Sequence, residues 1–491
     1  MLIDREKTKQ NFEFKVEGER IMARGYTQDM TKGSPTRLLL MFSIPMLVGN
    51  LFQQLYNMAD TVIVGKFVGE NALGAVGATG SIGFLFFSLS FGLAAGIGIV
   101  ISQFFGAGEI DKVKKAIATS LYVMAISALV MGVIGIVTAR PIMIMLNTPD
   151  VMLDDAVLYL QVTCGGLIAV AIYNGVAAIL RALGDSKTPL IFLAVACVVN
   201  VGLDLLFVVV FKMAVLGVAT ATVIAQIIAA IGCLVYAWIK VPIFKIPLKE
   251  CVPDLHIFRQ CTFLGLPVAL QNAMIAVSCI VLQRVVNGFG PTIVAAFTAE
   301  TRFEQLVQQP FASLGAAIAT YTGQNIGAGK IDRVKRGFWA GTLISTVFSI
   351  VMLPVAWLGG EAIMRLFTDN QEVIIEGARG IRITSVFYSA LGMIYVTRNV
   401  LNGSGDVKFA MLSGFVEVGG RVGFAKPLTF VPFIGMLSIW FTSSFTWTLT
   451  AVISCIRYAQ GKWKEKSIVA KEQPMKETPI EFSKVATNQE A

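Results

Sequence analysis

The sequence predicts an all-α polytopic membrane protein, with twelve transmembrane helices arranged as two parallel six-helix repeats. Composition is the first reason. Apolar residues make up 55% of the chain and charged residues 14%, and the mean hydropathy is +0.71, whereas a soluble domain carries about 25% charged residues. The second reason is a repeated phrase. Gln103-Phe-Phe-Gly-Ala-Gly-Glu-Ile-Asp-Lys-Val-Lys-Lys115 returns 221 residues later as Gln324-Asn-Ile-Gly-Ala-Gly-Lys-Ile-Asp-Arg-Val-Lys-Arg336. The third is the number of apolar runs of about 20 residues, the length that crosses a bilayer. They fall near 38–62, 73–103, 116–139, 156–180, 188–211 and 215–239, and again near 259–287, 292–322, 337–358, 373–402, 407–431 and 434–458.

The repeat covers whole halves. Pro45 and Asn50 correspond to Pro267 and Asn272 at an offset of 222, and Ile179–Asp185 corresponds to Val400–Asp406 at 221. This organisation gives an N-terminal extension at 1–33, a first lobe at 34–240, a linker at 241–256, a second lobe at 257–458 and a charged tail, expected to be disordered, at 459–491. Six crossings per half place both halves the same way up and both termini on one side. Loops after the even-numbered spans carry Lys112, Lys114, Lys115, Arg181, Lys187, Lys240, Lys330, Arg333, Lys335 and Arg336, and the alternate loops carry few basic residues. By the positive-inside rule both termini are cytoplasmic in the cell's inner (plasma) membrane. Topology thus accounts for the net charge of +9 without nucleic acid, and no signal peptide is expected before the first span.

Enzyme chemistry has little footing. The seven cysteines have no C-x-x-C spacing and read as reduced packing residues, and the single histidine, His256, has no ligand partner near it in sequence. Gly327-Ala-Gly-Lys330 is followed by Ile331, so the phosphate-loop pattern fails. No cofactor is expected. The expected partners are small organic substrates and the lipid bilayer, and a monomer is expected.

Function is sought in polar residues inside spans, where a buried Asp costs about 2.5–3.5 kcal/mol to insert. Asn50, Gln53, Asn57 and Asp60 share one face of the first span. Asn200 and Asp204 lie one turn apart in the fifth, and Thr222 and Gln226 do the same in the sixth. Asp60, Asn200, Asp204 and Thr222 supply hard oxygen ligands for a proton or small cation. The counterparts of Asp60, Asn200 and Asp204 in the second half are Leu282, Arg421 and Ala425, so the coupling chemistry is assigned to the first half. The eighth span carries Glu300, Arg302 and Glu304 around a Thr301–Gln305–Gln308 stripe, with Pro310 expected to interrupt it. In the eleventh, Glu417 and Arg421 at i and i+4 read as a structural pair.

Together, the parallel halves, Tyr56-Asn57-Met58-Ala59-Asp60-Thr61, the Gly-Gln-Asn-Ile-Gly-Ala-Gly phrase after the eighth span and Asn200-Val-Gly-Leu-Asp204 resemble the multidrug and toxic compound extrusion (MATE) family over about 34–458. The resemblance is closest to its bacterial DinF-like branch, and it implies a MATE/MOP-type fold. It also implies a secondary multidrug efflux transporter that exchanges H⁺ or Na⁺ for organic, mostly cationic compounds. On this resemblance Asp60, Asn200, Asp204 and Thr222 occupy the cation site, and Asn174 lies near a substrate cavity. Gln53, Asn57, Gln271, Arg302 and Glu304 are further candidates for the cavity lining. The acidic residues of the NorM-like branch's second-lobe site fall on Ile275 and Leu391 here, so that site is not expected. A flippase of lipid or lipid-linked sugar in the same superfamily is the alternative. An intramembrane aspartyl protease fits poorly, because Asp204 follows Val201-Gly-Leu rather than Gly-x-Gly.

Overall fold

A computed structural model describes residues 28–469. Among these residues there are fourteen α-helices and no strand. The first half contains α1 (Pro35–Ile63), α2 (Glu70–Gly106), α3 (Ile110–Met145), α4 (Asp150–Gly165), α5 (Leu167–Ala182), α6 (Lys187–Asp204) and α7 (Ala214–Lys240). The second contains α8 (Leu255–Val286), α9 (Pro291–Gly327), α10 (Ile331–Arg365), α11 (Gln371–Val386), α12 (Tyr388–Ser404), α13 (Val407–Ala425) and α14 (Ser438–Ala459).

Fourteen helices make twelve spans because one crossing in each half is broken at the same place in the repeat. The chain bends by 44° between α4 and α5, beside Gly165-Gly166, and α11 gives way to α12 at Phe387. Among the described residues eight helices are long and apolar enough to cross a membrane unaided, and the bent α4–α5 pair makes a ninth. The remaining spans, α9, α11–α12 and α13, are those that carry Glu300, Glu304, Arg398, Glu417 and Arg421. Large apolar side chains such as Leu129, Val137, Ile350 and Leu358 are exposed on the outer faces, as expected of surfaces that meet lipid.

Small residues let the halves approach closely. A Cβ on Gly92 would strike the backbone of Ala269, and one on Gly96 would strike the Cys261 carbonyl, so α2 and α8 pack backbone to backbone. A second contact runs between α1 and α9, where Asn50 Nδ2 donates to Ser313 Oγ at 3.1 Å.

Two expectations are corrected. Pro310 does not interrupt the eighth span: α9 runs through it to Gly327, since the hydrogen bonds of neighbouring turns hold the helix where one N–H is missing. The start of the tail expected to be disordered is folded, because its few apolar residues find a core. Trp463 is buried and stacks on Tyr458, and Ile468 and Val469 pack into the apolar core of the first half. The remainder of the two termini, 1–27 and 470–491, lies outside the described residues.

Candidate functional site

Three helices of the first half meet at one polar point. Asp60 lies near the end of α1, Asp204 ends α6 with Asn200 one turn before it, and Thr222 lies in α7. Both carboxyls and the amide are buried, and Thr222 is half-buried. The carboxyls of Asp60 and Asp204 lie side by side around the Asn200 amide, with the Thr222 side chain next to Asp60. With its nitrogen turned inward, the Asn200 amide donates to Asp60 Oδ1 at 2.8 Å and to Asp204 Oδ2 at 3.3 Å. Asp204 Oδ1 is buried without a partner. All four residues picked from sequence are therefore brought together.

Two features of this site were not anticipated. Tyr56, one turn before Asp60, is buried near Thr222, and Tyr159 of α4 is within electrostatic reach of both carboxylates. Tyr56 stood inside the quoted phrase, but a Tyr in an apolar run gives no sign that its hydroxyl is used. The other feature is in the backbone. One turn after Asp60 and immediately after Asp204 the helix opens into π-helical turns, at Val64–Val68 after α1 and Leu205–Val210 after α6. Their wide hydrogen bonds run from Gly69 N to Val64 O at 3.1 Å and from Phe211 N to Leu206 O at 3.0 Å. The two π segments pack on one another, and their apolar side chains, Val64 and Val208 among them, close the site's end. Such turns disturb a regular helix at a cost and recur at functional sites.

The second half holds a different arrangement. Glu417 does not pair with Arg421 as the i, i+4 spacing predicted. Its partner is Arg398 of α12, with which it forms a buried ion pair. Gln271, with its amide oxygen turned to the guanidinium, accepts from Arg398 Nε at 2.6 Å and Nη1 at 3.1 Å. Arg421 instead donates to Ser278 Oγ and to Cys279 Sγ. Arg398 was overlooked because it lies a turn from the end of its helix, where a basic residue reads as a loop flank. Glu304 accepts from Gln308 Nε2 at 2.6 Å, and Gln308 Oε1 accepts from Tyr395 OH at 3.2 Å. Glu300 is buried and accepts from Thr384 Oγ1 at 3.2 Å.

The cavity candidates scatter. Gln271 and Glu304 belong to the second-half network. Gln53 and Asn174 are half-buried in the first half, and Asn174 Nδ2 donates to its own helix at Val170 O, 2.8 Å away. Asn57 and Arg302 are exposed.

A duplicated helical bundle that buries carboxylates between its spans has the build of a membrane transporter. The sequence pattern of the MatE family matches residues 45–206 and again 267–425, one match per half, and the chain belongs to that family. The probable multidrug resistance protein YpnP of Bacillus subtilis is 28% identical over 439 residues, covering 89% of this chain and 97% of its own. The probable multidrug resistance protein NorM of Thermotoga maritima is 22% identical, covering 88% and 94%. In fold, the chain matches a MOP superfamily transporter from Pyrococcus furiosus with a TM-score of 0.83 at 21% identity, covering 89% of this chain and 98% of that one.

Proposed function

We propose that the chain exports organic compounds, mostly cationic and amphipathic, in exchange for H⁺ or Na⁺ by alternating access of its two lobes. The observation that carries this reading is the Asp60–Asp204 contact, with Asp204 Oδ1 left without a partner. An ionised carboxylate has no donor, so two carboxyls in contact need a proton or a cation between them. The Asn200 amide suits either ion. With its nitrogen inward it donates to both carboxyls; with its oxygen inward, three oxygens converge as small hard cations require.

Helix α1 links ion to lobe movement. It holds Asp60 near one end, and through Asn50 it bonds Ser313 of the second half. Removing the ion leaves two like charges in contact in a low dielectric, and the repulsion favours a different seat for α1. The multidrug names carried by the relatives support the class of cargo. The flippase alternative gains nothing from the second half, where Arg398 is held by Glu417 and Gln271 rather than left for a phosphate.

The test uses purified protein in sealed vesicles, with efflux of a fluorescent organic cation followed under a pH gradient and a Na⁺ gradient applied separately. Efflux driven by one gradient and collapsed by the matching ionophore is the expected result. Movement indifferent to both gradients overturns the antiport reading.

A further inference from the structure

The repeated phrase that reveals the duplication is also where the halves lock. Gln103 at the end of α2 and Gln324 at the end of α9 are counterparts at an offset of 221, as are Ala182 and Gly403. Gln103 Nε2 donates across the interface to Gly403 O at 2.9 Å, and Gln324 Nε2 donates across it to Ala182 O at 2.8 Å. Each glutamine's oxygen then takes a chain terminus. Gln324 Oε1 accepts from Met30 N at 2.8 Å, and Gln103 Oε1 accepts from Ile468 N at 3.0 Å.

The termini are exchanged between the halves. Residues 28–33 lead into α1 of the first half, yet Met30 is buried among second-half residues such as Leu314 and Tyr321. Its carbonyl accepts from Asn325 Nδ2 and Arg333 Nη2, both at 3.2 Å. Residues 466–469 follow α14 of the second half, yet Ile468 and Val469 are buried in the first-half core. The docking geometry repeats as well. Gly184 and Gly405 are counterparts, both left-handed with φ of 95° and 93°. A Cβ on the first would meet the backbone of Gln28, and one on the second the backbone of Lys466. Duplication of a transmembrane half explains paired glutamines; it does not explain two unrelated terminal sequences docked on them in the same way.

We infer that the two terminal segments are reciprocal straps that hold the lobes together at this end, and that each must leave its glutamine for the lobes to part there. The inference rests on the alternating-access reading. It adds that the chain ends set the balance between lobes closed and lobes open at this end, because a strap that binds one arrangement only shifts the population toward it.

The test reads lobe separation directly, without ion coupling. Ser102 is buried, and a Cβ on Gly323 across the interface would meet its side chain, so Ser102→Cys reacts with N-ethylmaleimide only when the lobes part. Protein in lipid nanodiscs is labelled, and position 102 is followed by peptide mass spectrometry. The full chain, a chain ending at residue 465 and a chain beginning at residue 33 are compared, each checked for monodisperse elution. Each truncation should raise the labelling rate about fivefold, as expected for one lost net hydrogen bond, and both together should raise it further. Ile468→Pro in the full chain removes the N–H that meets Gln103 and trims the side chain that Ile468 buries in the first-half core, while leaving the rest of the segment in place. It should raise labelling to a smaller extent, and it decides the matter if a truncated chain fails to fold. Labelling that responds to substrate or gradient but not to truncation or Ile468→Pro overturns the straps alone. No labelling in any chain under any condition overturns alternating access, and the straps with it.

Discussion

Asp60 and Asp204 of the first half face each other, and among the described residues no Lys or Arg makes an ion pair with either. In the second half, Glu417 is bound to Arg398, Arg398 to Gln271, and Arg421 to Ser278 and Cys279. Both halves descend from one repeat, and both bury charge inside spans. A buried carboxylate held by its own counter-ion is costly to separate from it and so works as a strut. A buried carboxylate without one needs something mobile. On the proposed reading the facing carboxylates of the first half carry the ion-responsive chemistry and the Arg398–Glu417 pair of the second holds helices in register; Glu300, buried with Thr384 as its hydrogen-bond partner, is the second-half carboxylate that does not fit the strut description.

The sharpest way to break the comparison is Asp204→Asn. It keeps the shape and removes the charge, so it should abolish gradient-driven efflux to the level of protein-free vesicles while leaving expression and thermal stability near wild type. Retained efflux at the wild-type rate moves the coupling site to Glu300, Glu304 or Glu417. Asp60→Asn should come next, with a loss of at least about tenfold, the size of a typical coupling free energy. It is expected to be milder because Asp60 keeps Thr222 as a neighbour near its helix end.

The second half should respond in stability instead. Arg398→Met leaves Glu417 buried and unpaired, which costs about 3–5 kcal/mol, read as a fall in unfolding temperature in detergent. Glu417→Gln placed in the same chain should restore most of that loss, because two charges are then absent rather than one. A double variant as unstable as Arg398→Met alone would show that the loss comes from the contact of Arg398 with Gln271 rather than from the unpaired Glu417 charge.

These differences bear on what a sequence can reveal. Asp60 and Asp204 were legible because a carboxylate in an apolar run is costly to insert, and so has a reason to be there. The fold was legible because Gln103–Lys115 and Gln324–Arg336 are the same phrase. The Arg398–Glu417 pair was hidden: its partners lie 19 residues apart on consecutive helices, and the i+4 neighbour Arg421 offered a simpler match. The π turns after Asp60 and Asp204 leave no trace, since their Val and Leu residues suit an α-helix equally well. Met30 and Ile468 sit in charged stretches with partners 294 and 365 residues away, a distance that local patterning cannot bridge.

A smaller effect is expected from Thr222→Val. The substitution keeps the shape and removes the one hydroxyl that faces Asp60 and Tyr56, a polar group whose loss is worth about 1 kcal/mol net. Efflux should fall about fivefold, with the choice of driving ion unchanged. If the preferred gradient switches between Na⁺ and H⁺, the Thr222 oxygen is a cation ligand and not only a positioning group.

The smallest effect should come from the mirrored positions in the second half. Leu282 and Ala425, the counterparts of Asp60 and Asp204, lie together in an apolar cluster with Val286, Ile439 and Trp440. Ala425→Ser adds a hydroxyl that can bond the carbonyl four residues back in its own helix, so stability and gradient-driven efflux should both stay within about a factor of two of wild type. Leu282→Asn buries an amide against apolar neighbours and should cost about 1–3 kcal/mol of stability, seen as lower yield of folded protein. The rate per folded molecule should nevertheless hold, because no ion is asked to visit that cluster. Efflux normalised to folded protein separates the two effects. A coupling loss in Ala425→Ser as deep as that of Asp204→Asn would mean that the apolar cluster of the second half moves with the ion site of the first, and the assignment of ion chemistry to one half alone would not stand.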